Sequence, residues 1–254
     1  MKYMRRVFHQ ASTKVNKVYI ARHGESIWNH DSKFTGWTDI PLTENGRVEA
    51  KVISHTLLHH QIQPSVLFSS VLERAINTSN IIKNHMEKET SKILPMHTSW
   101  RLNEKHYGTL EGIPRQYIRD EYGDKFTQMM RNNFYMKPPV LPHLPIQTDY
   151  PIYENCYYES VKNGESKENV LERLLPYFEN DVLYMLKKDN IPLIITHKHC
   201  ARVLMKHLLS MTDEDFEDYT IPSNHILELE FDDSRKLKKS NFIQYVQQTI
   251  TDSS

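Results

Sequence analysis

Cysteine is nearly absent: the 254-residue chain has two, Cys156 and Cys200. Two thiols are too few for a disulfide framework or a thiolate zinc centre, and they fit a reducing compartment. Net charge is absent too, because 32 Lys and Arg balance 32 Asp and Glu and the pI is near 7.3. A neutral chain has no global attraction to nucleic acid or to an anionic membrane, so an anionic ligand must be gripped by a local cluster. No apolar run reaches the roughly 18 residues of a membrane span, and no internal repeat is visible. What remains, 39% hydrophobic and 25% charged, is a globular composition at a length that suits one core. Composition alone leaves metal binding through histidine open, since there are 14.

Residues 1–16 read as a basic extension, with Lys2, Arg5, Arg6 and Lys14 and no acid. A mitochondrial transit peptide has the same bias, but the stretch is short, and the expectation is a solvated tail on a cytoplasmic protein. Residues 17–246 read as a single catalytic domain and residues 247–254 as a frayed polar end. Four short apolar runs, Val18 to Ala21, Val66 to Phe68, Ile93 to Met96 and Leu193 to Thr196, read as buried strands. Helical patterns lie between them, from Thr43 to His60 and from Leu72 to Met86. A later one, Ser166 to Lys188, carries an apolar stripe that Pro176 interrupts. The alternation predicts an α/β domain around a mainly parallel sheet. The segment from Gly123 to Gly164, with five prolines and little periodicity, reads as a long surface excursion.

Ligands of open α/β sheets bind beyond the carboxyl ends of the strands. Arg22, His23, Gly24 and Glu25 follow the first run, and Ser69, Ser70 and Arg74 the second. The third leads to Trp100-Arg101-Leu102-Asn103-Glu104 with His106 and Tyr107, and the fourth to His197, Lys198 and His199. Histidines, arginines, a lysine and an acid thus converge on one sheet edge, which suits a phosphate and points to phosphoryl transfer. A histidine is an effective nucleophile toward phosphorus at neutral pH, and either His23 or His197 would serve. Gly24, letting the backbone approach the phosphoryl group, favours His23. Arg22 and Arg74 then hold equatorial oxygens, His197 donates to the developing charge, and Glu104 is the general acid. The scheme needs no metal.

These residues lie in a longer pattern. Arg22-His23-Gly24-Glu25-Ser26 with Trp28 and Asn29, Phe34-Thr35-Gly36-Trp37-Thr38-Asp39, and Trp100 through Gly108 together resemble cofactor-dependent phosphoglycerate mutases of the histidine phosphatase superfamily. The likeness continues through Gly164-Glu165-Ser166 to Ile221-Pro222. It implies a mixed, mainly parallel six-stranded sheet flanked by helices. It also implies a phosphorylated His23, a phosphoryl site of Arg22, Arg74 and His197, and Glu104 as proton donor. Ser26, Asn29, Thr35, Gly36 and Tyr107 would line the substrate pocket. The implied reaction interconverts 3- and 2-phosphoglycerate in glycolysis, primed by 2,3-bisphosphoglycerate, and the implied assembly is a homodimer or tetramer.

The chain departs from that pattern at several positions. His197-Lys198-His199-Cys200 stands for His-Gly-Asn-Ser, Arg131-Asn132 for an Arg pair, and Pro114-Arg115 for Asn-Lys. Lys198 or His199, turned inward, would offset the charge lost at Asn132. The end of the chain, Gln247-Gln248-Thr249-Ile250, lacks the family's lysines. A weaker grip on the bisphosphate would favour hydrolysis, so a phosphomonoester phosphatase is the alternative. A non-catalytic binding protein has no need of a proton donor beside a nucleophile.

Overall fold

In the computed structural model, residues 16–141, 164–188 and 190–246 are described. Residues 1–15 of the proposed basic extension, the polar end, Cys156, Pro142, Pro145 and Pro151 lie outside them, and Asn16 already belongs to the first strand.

The first half of the chain alternates strand and helix: β1 (Asn16–Arg22), α1 (Ile27–His30), α2 (Glu44–His59), β2 (Val66–Ser69), α3 (Glu73–Thr90) and β3 (Met96–Thr98). Two 3-10 turns, Trp100–Leu102 and Gly108–Leu110, lead to α4 (Arg115–Asn132). Then come α5 (Lys167–Tyr177), a π turn (Phe178–Val182), α6 (Leu183–Leu186), β4 (Pro192–Thr196), α7 (Lys198–Leu208), α8 (Asp213–Asp218), β5 (His225–Phe231) and β6 (Leu237–Gln244).

One six-stranded sheet runs in the order β3-β2-β4-β1-β5-β6. The pairs β3–β2, β2–β4 and β4–β1 are parallel, and β5 and β6 complete the sheet antiparallel. Its parallel strands are short apolar runs because helices cover both faces. Val18 and Ile20 of β1 pack with Val170, Leu174 and Phe178, whereas Tyr19 and Ala21 pack with Ile53, Leu57 and Ile82 from α2 and α3. Thr43 caps α2 by accepting the Gly46 N–H, and Ser166 forms a capping box with Asn169 at the start of α5.

Two details differ from the sequence reading. The third strand starts at Met96 rather than Ile93, whose side chain is 86% exposed. An edge strand buries little, so apolar content does not mark its ends. The excursion beginning at Gly123 starts inside a helix: Gly123 breaks α4 with φ +81° and helical structure resumes to Asn132. Its faces are mostly solvated, which removes the periodic signal. The apolar helix runs on past Pro176 as its stripe predicts, with the irregularity taking the form of the π turn at Phe178–Val182.

Four parallel strands place their carboxyl ends on one edge. There the His23 N–H donates to the Thr196 carbonyl and the Ser70 N–H to the Ile195 carbonyl, knitting three site loops together.

Candidate active site

His23 is 5% exposed, at the end of β1. Its Nδ1 lies 2.7 Å from the Gly24 carbonyl, which can only accept, so Nδ1 carries the proton and Nε2 keeps its lone pair. Burial, with the charges of Arg22 and Arg74, holds the imidazole well below the ordinary histidine range. The ring is therefore neutral at neutral pH. His197 packs against it with ring centroids 4.7 Å apart. Burial chiefly, then Arg74, keeps His197 neutral as well, and its Nε2 sits 2.7 Å from Ser70 Oγ.

The glycine beside His23 has a different reason from the one its place in the sequence suggests. A Cβ on Gly24 would lie 2.1 Å from the Gly46 carbonyl oxygen, and one on Gly46 would lie 2.1 Å from the carbonyl oxygen of Glu25. Two glycines let α2 press against the site loop, where Glu49 also accepts the Glu25 N–H at 2.7 Å.

Arg74 projects from the first turn of α3 and is 1% exposed. Its Nη1 and Nη2 donate to the carbonyls of Thr38 and Gly36 at 3.0 and 2.7 Å. Burial draws it down to about 10, leaving it a cation at neutral pH. The carbonyls that aim Arg74 are themselves fixed by the buried carboxylate of Glu111, which accepts from the backbone N–H groups of Trp37, Thr38 and Tyr107. Gly36 is required there: its φ is +53° and a Cβ would strike Glu111 Oε1.

Glu104 is held from two sides. Its Oε1 accepts the backbone N–H of Lys105 at 2.8 Å and of His199 at 3.3 Å, while Oε2 takes no hydrogen bond among the described residues. Behind it, Arg173 pairs bidentately with Glu165 and donates to the carbonyls of Arg101, Asn103 and Glu104. The loop bearing the carboxylate is thereby clamped to α5.

These groups surround a cavity of two lobes. A lobe of about 110 Å³ is walled by Arg22, His23, Arg74 and Glu104, with Thr35 and Gly36 from the Glu111-held loop. Asn29, which accepts from Arg22 at 3.2 Å, and Tyr107 also line it. Arg115 and Arg131, from the two ends of α4, and Lys198 and His199, from the start of α7, complete the wall. A larger lobe of about 280 Å³ shares Arg22, His23, Asn29, Arg115 and Lys198 and reaches His197, Glu49, Pro222 and Tyr245.

Two residues expected in the pocket line neither lobe: Ser26 caps α1, and Asn132 follows Arg131 by one residue. One helical step is about 100°, so a helix that presents Arg131 turns Asn132 away. Of the two candidates to restore charge, only Lys198 is a cation. His199 is buried, kept neutral chiefly by desolvation, and bonded through Nε2 to the Tyr107 hydroxyl at 2.9 Å. Burial likewise pushes the Cys200 thiol up to about 12, so it is a packing residue rather than a thiolate.

The small lobe thus gathers five cationic side chains and one carboxylate in a chain of zero net charge. The family model of the histidine phosphatase superfamily (branch 1) matches residues 18–242. The chain belongs to the histidine phosphatase superfamily. It is 37% identical over 236 residues to the 2,3-bisphosphoglycerate-dependent phosphoglycerate mutase of Buchnera aphidicola subsp. Cinara cedri, covering 91% of this chain and 100% of that one. Identity to the enzyme of the same name from Corynebacterium efficiens is also 37%, over 82% of each chain. Among solved structures, "Mycobacterial hydrolase 1" superposes with a TM-score of 0.69 at 19% identity, over 92% of this chain and 100% of that one. A mycobacterial glucosyl-3-phosphoglycerate phosphatase complexed with VO3 gives 0.66 at 20%, over 91% and 100%. These two share the fold.

In this member of the histidine phosphatase superfamily the sequence reading missed some of the supporting residues. Glu111 and Arg173 have no local signature, because they hold backbone groups up to 74 residues away, and Glu165, quoted only within the Gly164-Glu165-Ser166 likeness, was given no role. Tyr245 enters from beyond β6, a strand whose polar sequence hid it.

Proposed function

We propose that the protein is a phosphoglycerate mutase, moving a phosphoryl group between the 3 and 2 positions of glycerate phosphate through phosphorylated His23. The observation that carries this is the cation excess of the small lobe. Arg22 and Arg74 beside His23 suffice for one phosphoryl group, so Arg115, Arg131 and Lys198 call for a second anionic group on the same small molecule. A phosphorylated carboxylic acid meets that requirement.

His23 Nε2 attacks phosphorus in line with the bridging oxygen, whose bond to phosphorus breaks. Glu104, in its acid form, delivers a proton to that oxygen. Arg22 and Arg74 hold the equatorial oxygens throughout. Once His23 is phosphorylated, Glu104 takes the proton from the free hydroxyl of a bound phosphoglycerate, that oxygen displaces His23 from phosphorus, and the freed His23 then takes the phosphoryl group from the other position by the step above, with Glu104 returning the proton.

2,3-Bisphosphoglycerate, when bound, supplies the phosphoryl group that loads His23. The residues present fit such a polyanion: Thr35 Oγ1 and Arg74 Nε are buried polar atoms of the lobe that have no hydrogen-bond partner among the described residues. Arg22, Arg74, Arg115, Arg131 and Lys198 would hold it.

Hydrolysis is the second reading, favoured by the larger lobe, which gives water a route to His23. A paired assay with 3-phosphoglycerate and p-nitrophenyl phosphate, with and without 2,3-bisphosphoglycerate, separates them. The expected result is mutase turnover that the bisphosphate primes, exceeding hydrolysis of either ester, and an acid-labile, base-stable phosphoryl adduct on His23. Hydrolysis faster than transfer would replace the proposal with the phosphatase reading, and label on His197 would refute the mechanism.

A further inference from the structure

Two lysines outside the cavity lining are buried completely, and among the described residues neither has a carboxylate within ion-pair distance. Lys105 and Lys167 are each 0% exposed. Lys105 Nζ donates to the carbonyl of Met136 at 3.2 Å and approaches that of Met130 at 3.5 Å, while Lys167 Nζ donates to the carbonyl of Asn133 at 2.9 Å. All three carbonyls belong to the end of α4 and the turn after it. The carbonyls of Met130 and Asn133 are among those a helix leaves unsatisfied at its C-terminal end, and that of Met136 belongs to the turn beyond.

What these lysines hold is the backbone on either side of Arg131. Met130, buried with Tyr107 and Leu110, and Phe134, packed on Phe216, anchor that end by apolar contact, but α4 is otherwise exposed along most of its length and is broken at Gly123. The Lys167 and Glu168 N–H groups donate to the Phe134 carbonyl, drawing the same turn toward α5. The other ends of the lysine side chains belong to fixed parts of the site. Lys105 adjoins Glu104 in sequence, and Lys167 starts the helix that carries Arg173.

We propose that Lys105 and Lys167 are positioning residues that clip the C-terminal end of α4 to the active-site floor and so set Arg131 against the distal anion of the substrate. This deepens the function proposed above and rests on its second anionic group. Burial lowers Lys105 to about 8 and Lys167 to about 6. The neutral amine still has two N–H donors, so the clip does not require the charge.

The test is calorimetric binding of two probes to the full chain. Inorganic phosphate fills only the phosphoryl position, whereas 3-phosphoglycerate also reaches Arg131. Lys105→Met and Lys167→Met keep the buried volume but remove the donors and leave the carbonyls they serve unsatisfied, so Tm should fall while the chain stays folded. Each should weaken 3-phosphoglycerate about tenfold and leave phosphate within twofold, with Lys105→Arg retaining most of the affinity. The decisive measurement is the double variant: in an Arg131→Met background, Lys105→Met should cost no further affinity, because both act through one contact. Additive losses, or equal losses for both probes, would overturn the proposal. These binding results do not depend on turnover. A chain that couples in this way yet shows no mutase activity would refute the proposed reaction and leave the clip standing.

Discussion

The carboxylate of Glu104 differs from a surface acid in how many groups hold it. Two backbone N–H groups bind its Oε1, and the Arg173–Glu165 pair grips the backbone of its loop. A side chain fixed in this way can give and take a proton in one geometry. Glu104→Gln keeps its shape and its contacts with those N–H donors but has no proton to exchange. We expect kcat for transfer to fall about 10²- to 10⁴-fold with KM changed little. A rise in KM with kcat intact would make Glu104 a binding group instead. At this scale the sequence was informative: His23, Arg74, Glu104 and His197 each follow a strand closely, so their convergence could be read from position. Glu111 and Arg173 could not, since only folding brings their partners near.

Among the elements, α2 sets the position of the His23 loop through the Gly24–Gly46 contact. Neither glycine has a positive φ, so the reason for each is space rather than backbone conformation. Gly24→Ala or Gly46→Ala must push α2 and the loop apart. Either should cost about 1–3 kcal/mol of stability by the usual measure of overpacking, read as a lowered urea midpoint, and activity should fall with it. An unchanged midpoint would show that the helix yields freely. The elements themselves were unequally legible. β1, β2 and β4 are buried on both faces and appear as apolar runs, whereas β5 alternates and β6 is a polar edge strand. α4 was hidden for a related reason, because an exposed helix interrupted by glycine has no apolar stripe.

For the whole molecule, three neutral histidines packed into the site couple stability to pH. Burial is the leading cause that lowers His23, His197 and His199 well below the ordinary value of 6.5. The unfolded chain therefore binds protons as the pH drops through about 6.5 while the native state does not, and stability falls with acidification. Each histidine contributes a slope of up to about 1.4 kcal/mol per pH unit below that point. Urea midpoints should be constant across pH 7 to 8 as far as these groups are concerned and should decline toward pH 5. His199→Asn should make the decline shallower. A slope that His199→Asn leaves unaltered would show that other groups drive it.

The sequence by itself determined the parallel half of the sheet and the chemistry at its carboxyl edge, because buried strands and the residues that follow them are local patterns. Tertiary structure decided the electrostatics. Lys198 and His199, side by side in the sequence, both line the small lobe, and it is the deeper burial of His199 that keeps that residue neutral and leaves Lys198 as the cation. The same holds for Arg131 and Asn132: one residue apart on α4, they differ by a helical step, and burial of the helix end on Lys105 and Lys167 selects the arginine that reaches the site.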